Sequence, residues 1–75
     1  MAESIRLQVE VDSDAVIVTM PGTTFRVVYR IPTHAHGLIA FDVRGSREAS
    51  VTMAEFLARA WKLANDKARE LGWIV

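Results

Sequence analysis

Two histidines, His34 and His36, are the side chains of this sequence most suited to binding a metal. Imidazole nitrogens bind zinc and copper, and a His-x-His pair on extended backbone presents two of them to one ion. Pro32 and Gly37 flank the pair and favour a turn, and Asp42 is the nearest candidate for a third ligand. The simpler interpretation is two solvated histidines in a polar loop, so we expect no resident metal or cofactor.

The hydroxyl and carboxylate side chains follow no pattern typical of catalysis. The chain has no cysteine, and Ser13, Ser46 and Ser50 fall in predicted turns or linkers. None of them lies in the Gly-x-Ser-x-Gly elbow that exposes a serine nucleophile. A chain of 75 residues also leaves little room for both a core and an enclosed substrate pocket. We therefore expect no catalytic residues and a protein that acts by binding.

A polar segment over residues 44–50 leads into the predicted helix and could hold an anion. Helix N-termini attract anions because their first N–H groups lack partners, and Arg44 and Arg47 lie beside such a terminus. The glycine pattern of a phosphate-binding loop is missing. We favour Thr52 as the cap of those N–H groups, with both arginines solvated.

The last third of the chain has a helical period and signals for both helix ends. Thr52 and Glu55 have the spacing of a capping box, and Gly72 can adopt the left-handed conformation that ends a helix, with Trp73 folding back on Ala68. These signals predict a helix over residues 53–71. Its apolar side comprises Met53, Phe56, Leu57, Ala60, Trp61, Leu63, Ala64, Ala68 and Leu71.

The preceding residues alternate at the two-residue period of β-strands. Strands are predicted over 4–11, 15–20, 24–31 and 38–43. Their short connections favour an antiparallel meander. The predicted fold class is α+β, a four-stranded antiparallel β-meander followed by one C-terminal α-helix packed across one face of the sheet, in one small domain over residues 1–75.

The same alternation predicts which side chains point toward the helix and which point away from it. In the fourth strand we expect Ile39, Phe41 and Val43 to point toward the helix. Leu38, Ala40 and Asp42 should then point away from it. Met20-Pro21-Gly22-Thr23, between the second and third strands, is typical of a type II turn.

Size and composition favour an oligomer. A domain this small buries a modest share of its surface, and such domains gain stability from disulfides, metals or oligomerisation. Disulfides are excluded, and 51% of the residues are hydrophobic. We therefore expect a homodimer. No secretory signal and no apolar run of about 20 residues is apparent, so we expect a cytoplasmic protein without membrane contact.

The predicted dimer interface is the sheet face away from the helix or, alternatively, an edge strand. The residues named for it lie mainly on that face. This face combines apolar residues with arginines, as protein interfaces do, and the apolar C-terminal tail is a further contact. The predicted interface comprises Ile17, Arg26, Val28, Arg30, Leu38, Trp73 and Ile74.

Nucleic-acid binding is the alternative function, through Arg6, Arg26, Arg30 and Arg44. The layout is similar to that of small DNA-binding domains that place a three-stranded sheet in the major groove, such as the integrase arm-binding and plant AP2 modules. Their family motifs are absent. The nine basic and nine acidic residues also cancel, so the overall positive field of such domains is missing.

Overall fold

A computed structural model of the chain describes residues 6–32, 37–47 and 51–74. It contains β1 (Gln8–Asp12), β2 (Ala15–Thr19), β3 (Arg26–Arg30), β4 (Ile39–Arg44) and α1 (Met53–Glu70). The strands form one antiparallel sheet in the order β1-β2-β3-β4, and α1 packs against one face of it. The predicted α+β meander with a closing helix is confirmed.

The turn between β2 and β3 has the predicted type II form. The Thr23 N–H donates to the Met20 carbonyl at 3.1 Å, and Gly22 has a φ of 84°, which glycine adopts without a steric penalty. The Phe25 N–H donates to the Thr23 hydroxyl at 3.1 Å. Because the N–H groups of Thr23 and Phe25 form hydrogen bonds within the turn, β3 begins at Arg26 rather than at residue 24.

Both predicted helix ends are confirmed. The Thr52 hydroxyl accepts a hydrogen bond from the Glu55 N–H at 3.1 Å, so the cap is made by the side chain predicted for it. At the other end, Gly72 has a φ of 79° and the Trp73 N–H donates to the Ala68 carbonyl at 2.8 Å. This is a Schellman ending, and it turns the tail back toward the core.

The core lies between α1 and the two central strands. Val16, Val18 and Val27 are fully buried on the helix side of the sheet. The helix contributes one stripe at four-residue spacing, namely Phe56, Ala60, Ala64 and Ala68, none of which is exposed. Phe56 stacks on Phe25 with ring centroids 4.7 Å apart. The three alanines in this stripe let the helix backbone lie close to the sheet.

The buried stripe of α1 is narrower than the predicted apolar side. Met53, Trp61, Leu63 and Leu71 belong to that side, yet all four are exposed. The reason is the position of the helix, which lies mainly along β2 and also contacts β1 and β3. No Cα atom of α1 lies within 8 Å of one in β4. The sheet therefore buries only part of the apolar side of α1.

A β-bulge makes the predicted facing wrong over the first half of β4. Val28 lies opposite Asp42 and Tyr29 opposite Ala40, so Phe41 is an extra residue in the ladder. An extra residue shifts the alternation of the side chains by one position. Asp42 points away from the helix as predicted, whereas Ala40 lies beside Tyr29 on the helix side.

Leu38 and Ile39 exchange their predicted environments because of this bulge. Leu38, predicted to point away from the helix, belongs to the core and is 4% exposed. Ile39, predicted to point inward, lies opposite Arg30 on the other side of the sheet and is exposed. Leu38 is therefore not available for the predicted interface.

The alanine stripe can be tested by enlarging one member. Ala64→Leu should lower the free energy of unfolding by about 1–3 kcal/mol, because a buried site in contact with the sheet has no room for a larger side chain. Ala58→Leu adds the same atoms at an exposed position of α1 and should change it by no more than about 0.5 kcal/mol. Urea unfolding at one protein concentration measures both, and equal effects would contradict the packing described.

Candidate interaction surface

The sheet face away from α1, called here the outer face, carries charges around a small apolar centre. The register places three cross-strand rows on it: Gln8-Thr19-Arg26-Arg44, Glu10-Ile17-Val28-Asp42 and Asp12-Ala15-Arg30-Ile39. Val28, at the centre, is only 7% exposed, and Ala15 is also buried. Their neighbours on the same sheet already cover them, so this centre offers a partner little apolar surface to bury.

The charges of the outer face balance one another. Three carboxylates, of Glu10, Asp12 and Asp42, share it with three guanidinium groups, of Arg26, Arg30 and Arg44. Arg26 Nη1 lies 3.2 Å from Asp42 Oδ2, and this pair is exposed enough to contribute little to stability. Arg44 lies directly opposite Arg26 and forms no ion pair with any residue that the structure describes.

Four of the seven predicted interface residues, Ile17, Arg26, Val28 and Arg30, come together on the outer face. Trp73 and Ile74 lie elsewhere, partly buried against the core, so the tail packs on its own chain. Arg6, of the predicted nucleic-acid set, is exposed ahead of β1. The interface and nucleic-acid roles of these residues stay predictions.

The two histidines considered as weak candidates for metal ligands, His34 and His36, lie outside the described residues. Within the ranges 6–32, 37–47 and 51–74, no three His, Cys, Asp or Glu side chains cluster as metal ligands would. At the start of α1 the Thr52 hydroxyl accepts from the Glu55 N–H, the capping role favoured there over an anion site.

Large apolar side chains are exposed around β4, among them Phe41 and Val43, which the sequence interpretation placed inside. Phe41 is 58% exposed at the bulge, and Val43 is 41% exposed on the helix side. All six residues of this edge strand are exposed. An edge strand has a row of backbone N–H and C=O groups without strand partners, so β4 presents both apolar side chains and unpaired backbone.

Two exposed side chains of α1 extend this surface. A Cβ atom placed on Gly45 would lie 2.9 Å from Met53 Cε, so Met53 lies against the end of β4. The Trp61 ring lies 5.7 Å from that of Tyr29, the residue opposite Ala40. We call Phe41, Val43, Met53 and Trp61 the β4 edge patch.

Tyr29 supports Trp61 by packing rather than by charge. Its side chain is buried, and this burial raises the pKa of its hydroxyl above the ordinary value of 10.0. The ring is therefore neutral at ordinary pH, and its tilted contact with Trp61 is of the kind that aromatic pairs favour.

The two edges of the sheet differ. On β1, Val9 packs against the core and α1 contacts the strand, which leaves Val11 as its exposed large apolar residue. On β4, α1 does not cover the same side of the sheet. Because large exposed apolar patches mark interaction sites more often than isolated apolar residues do, the β4 edge is the stronger candidate.

One sequence signal could have found this patch. A helix is about 10 Å wide with its side chains, whereas neighbouring strands are about 4.8 Å apart. A single helix therefore covers two or three strands, and a four-stranded meander with one helix leaves an edge strand open. The sequence does not say which edge that is.

Among the described residues, no helix is both long and apolar enough to cross a membrane. No protein-family model, curated protein or solved structure matches the chain. Inferences about function therefore start from the outer face and the β4 edge patch.

Proposed function

We propose that the protein is a small interaction module that works as a homodimer and acts by binding rather than by chemistry. The observation that carries this proposal is the exposure of the residues of the β4 edge patch. Apolar surface removed from water contributes about 25 cal/mol per Å² to association. Phe41 and Val43 are both exposed on this strand, so a partner that covers β4 buries apolar surface of both.

A second copy of the chain suits this edge because strand pairing is self-complementary. Two identical edge strands can pair antiparallel across a two-fold axis, which satisfies the unpaired N–H and C=O groups of both. Such a pairing joins the two four-stranded sheets and brings the two β4 edge patches side by side. Peptide partners add to open sheet edges by the same mechanism.

Val43→Lys tests this proposal, with Val11→Lys as a matched control. Both valines are 41% exposed, both lie on the helix side, and they lie on opposite edge strands. A lysine at position 43 would have to be desolvated in the dimer, so we expect the dissociation constant to rise about tenfold or more. Val11→Lys should leave it unchanged. Sedimentation equilibrium across micromolar concentrations measures both.

The results for the two lysine variants show which edge of the sheet forms the dimer interface. If the unmodified chain is monomeric throughout that concentration range, the homodimer is wrong. If Val11→Lys weakens the dimer and Val43→Lys does not, the interface is at β1. Far-UV circular dichroism of each variant verifies that the fold is kept.

A second candidate function, nucleic-acid binding through the outer face, is supported by one feature. Arg26 and Arg44 lie directly opposite each other across β3 and β4, and Arg30 lies on the same face. A phosphate would relieve the repulsion between such neighbouring guanidinium groups. Glu10, Asp12 and Asp42 on this face oppose an anionic ligand, so we rank this function second.

Titration of labelled duplex DNA at low salt, followed by fluorescence anisotropy, tests the second candidate. We expect no binding, because three carboxylates balance the three arginines of the outer face. Binding that weakens steeply with added salt, and that Arg30→Gln reduces, would instead support the nucleic-acid function.

A further inference from the structure

The charges next to Val43 on β4 are of opposite sign. Asp42 and Arg44 flank Val43, and the register places both on the outer face, opposite Val28 and Arg26 respectively. Val43 itself points to the helix side, because it lies opposite the buried Val27. The end of this edge strand therefore alternates an acid, an apolar residue and a base.

Arg44 has an unfavourable position within its own sheet. Like charges directly opposite each other on neighbouring strands are destabilising, and Arg44 lies directly opposite Arg26. Arg26 is neutralised by Asp42 at 3.2 Å. No ion pair of Arg44 occurs among the described residues, so none of their carboxylates competes with one from beyond the edge.

We propose that β4 pairs antiparallel with β4 of a second copy, with Val43 opposite Val43. This step rests on the proposed homodimer and specifies its register. Residues 42 and 44 then lie opposite each other, so Asp42 of each copy faces Arg44 of the other. The two-fold axis repeats this pair, so each Asp42 carboxylate lies between Arg26 of its own chain, 3.2 Å away, and Arg44 of the other copy.

The neighbouring registers of the β4–β4 pair place like charges opposite each other. Directly opposite residues of an antiparallel pair point to the same side of the sheet. In a symmetric pair of β4 strands the two-fold axis therefore passes through one residue, and each other register places the axis at a different residue. An axis at residue 42 places Asp42 opposite Asp42, and an axis at residue 44 places Arg44 opposite Arg44. Only the axis at Val43 pairs these acids with these bases.

The apolar residues also fit this register. The two Val43 side chains meet on the helix side, where directly opposite Cβ atoms are about 4.5–5.5 Å apart. Phe41 of each copy falls opposite Gly45 of the other, and Gly45 has no side chain to oppose the ring. The β4 edge patches of the two copies are thereby brought together.

Charge reversal tests the register. Arg44→Asp places two carboxylates opposite each other at both symmetric positions of the dimer, while inside the chain the new carboxylate faces Arg26 and favours the fold. Asp42→Arg places two guanidinium groups opposite each other in the same way. Each variant alone should self-associate about tenfold more weakly. An equimolar mixture should form a heterodimer of about the original affinity, because each acid then faces a base.

Arg30→Asp, on the same face but one strand from the edge, is the control and should leave association unchanged.

A cysteine variant checks the same register independently of charge. The chain has no cysteine, so Val43→Cys introduces a single thiol per copy. Directly opposite Cα atoms in an antiparallel pair are about 4.5–5.5 Å apart, which lies within the disulfide range of about 4.4–6.8 Å. Oxidation should give a covalent dimer with Val43→Cys and not with Val11→Cys.

The outcomes distinguish this inference from the homodimer itself. A monomeric parent chain would overturn both. A dimer that Val43→Lys weakens, but in which the charge-reversed variants associate like Arg30→Asp or fail to recover on mixing, would overturn the register and leave the homodimer standing. Thermal unfolding of Arg44→Asp shows whether weaker association comes from the interface or from loss of fold.

Discussion

One helix cannot cover four strands, and the rest of this structure follows from that mismatch of widths. The outer strands of a four-stranded sheet are about 14 Å apart, at about 4.8 Å per strand, whereas a helix with its side chains is about 10 Å wide. The helix α1 settles along β2 through a stripe of small residues, Ala60, Ala64 and Ala68. The helix then does not cover β4, and Val43, Met53 and Trp61 stay exposed.

Locally encoded features were predictable from the sequence. The Thr52 cap, the Schellman ending at Gly72 and the turn at Pro21-Gly22 each depend on residues a few positions apart, and all three form as predicted. The facing of Leu38 and Ile39 was not predictable, because a bulge at Phe41 is a property of how β4 pairs with β3. Nothing in the alternation of residues 38–43 marks the extra residue.

The location of the exposed apolar surface also depends on tertiary structure. Arg26, Val28 and Arg30 do share the outer face, as the alternation predicts. Yet Val28 is already covered by its neighbours, so the face is mainly one of balanced charges. The apolar surface that remains exposed lies instead on residues that were predicted to point into the core. Phe41, Val43 and Trp61 became candidates only when the position of α1 on the sheet was known.

Hydrogen exchange along the two edge strands tests the central claim most directly, because it compares β4 with β1 in the same molecule. Pairing of β4 with a second copy protects the outward N–H groups of Ile39–Arg44, and this protection grows with protein concentration as dimers form. The N–H groups of Gln8–Asp12 at the other edge should show no such dependence. Exchange at β4 that is independent of concentration, or protection that appears at β1 instead, would contradict dimerisation through β4.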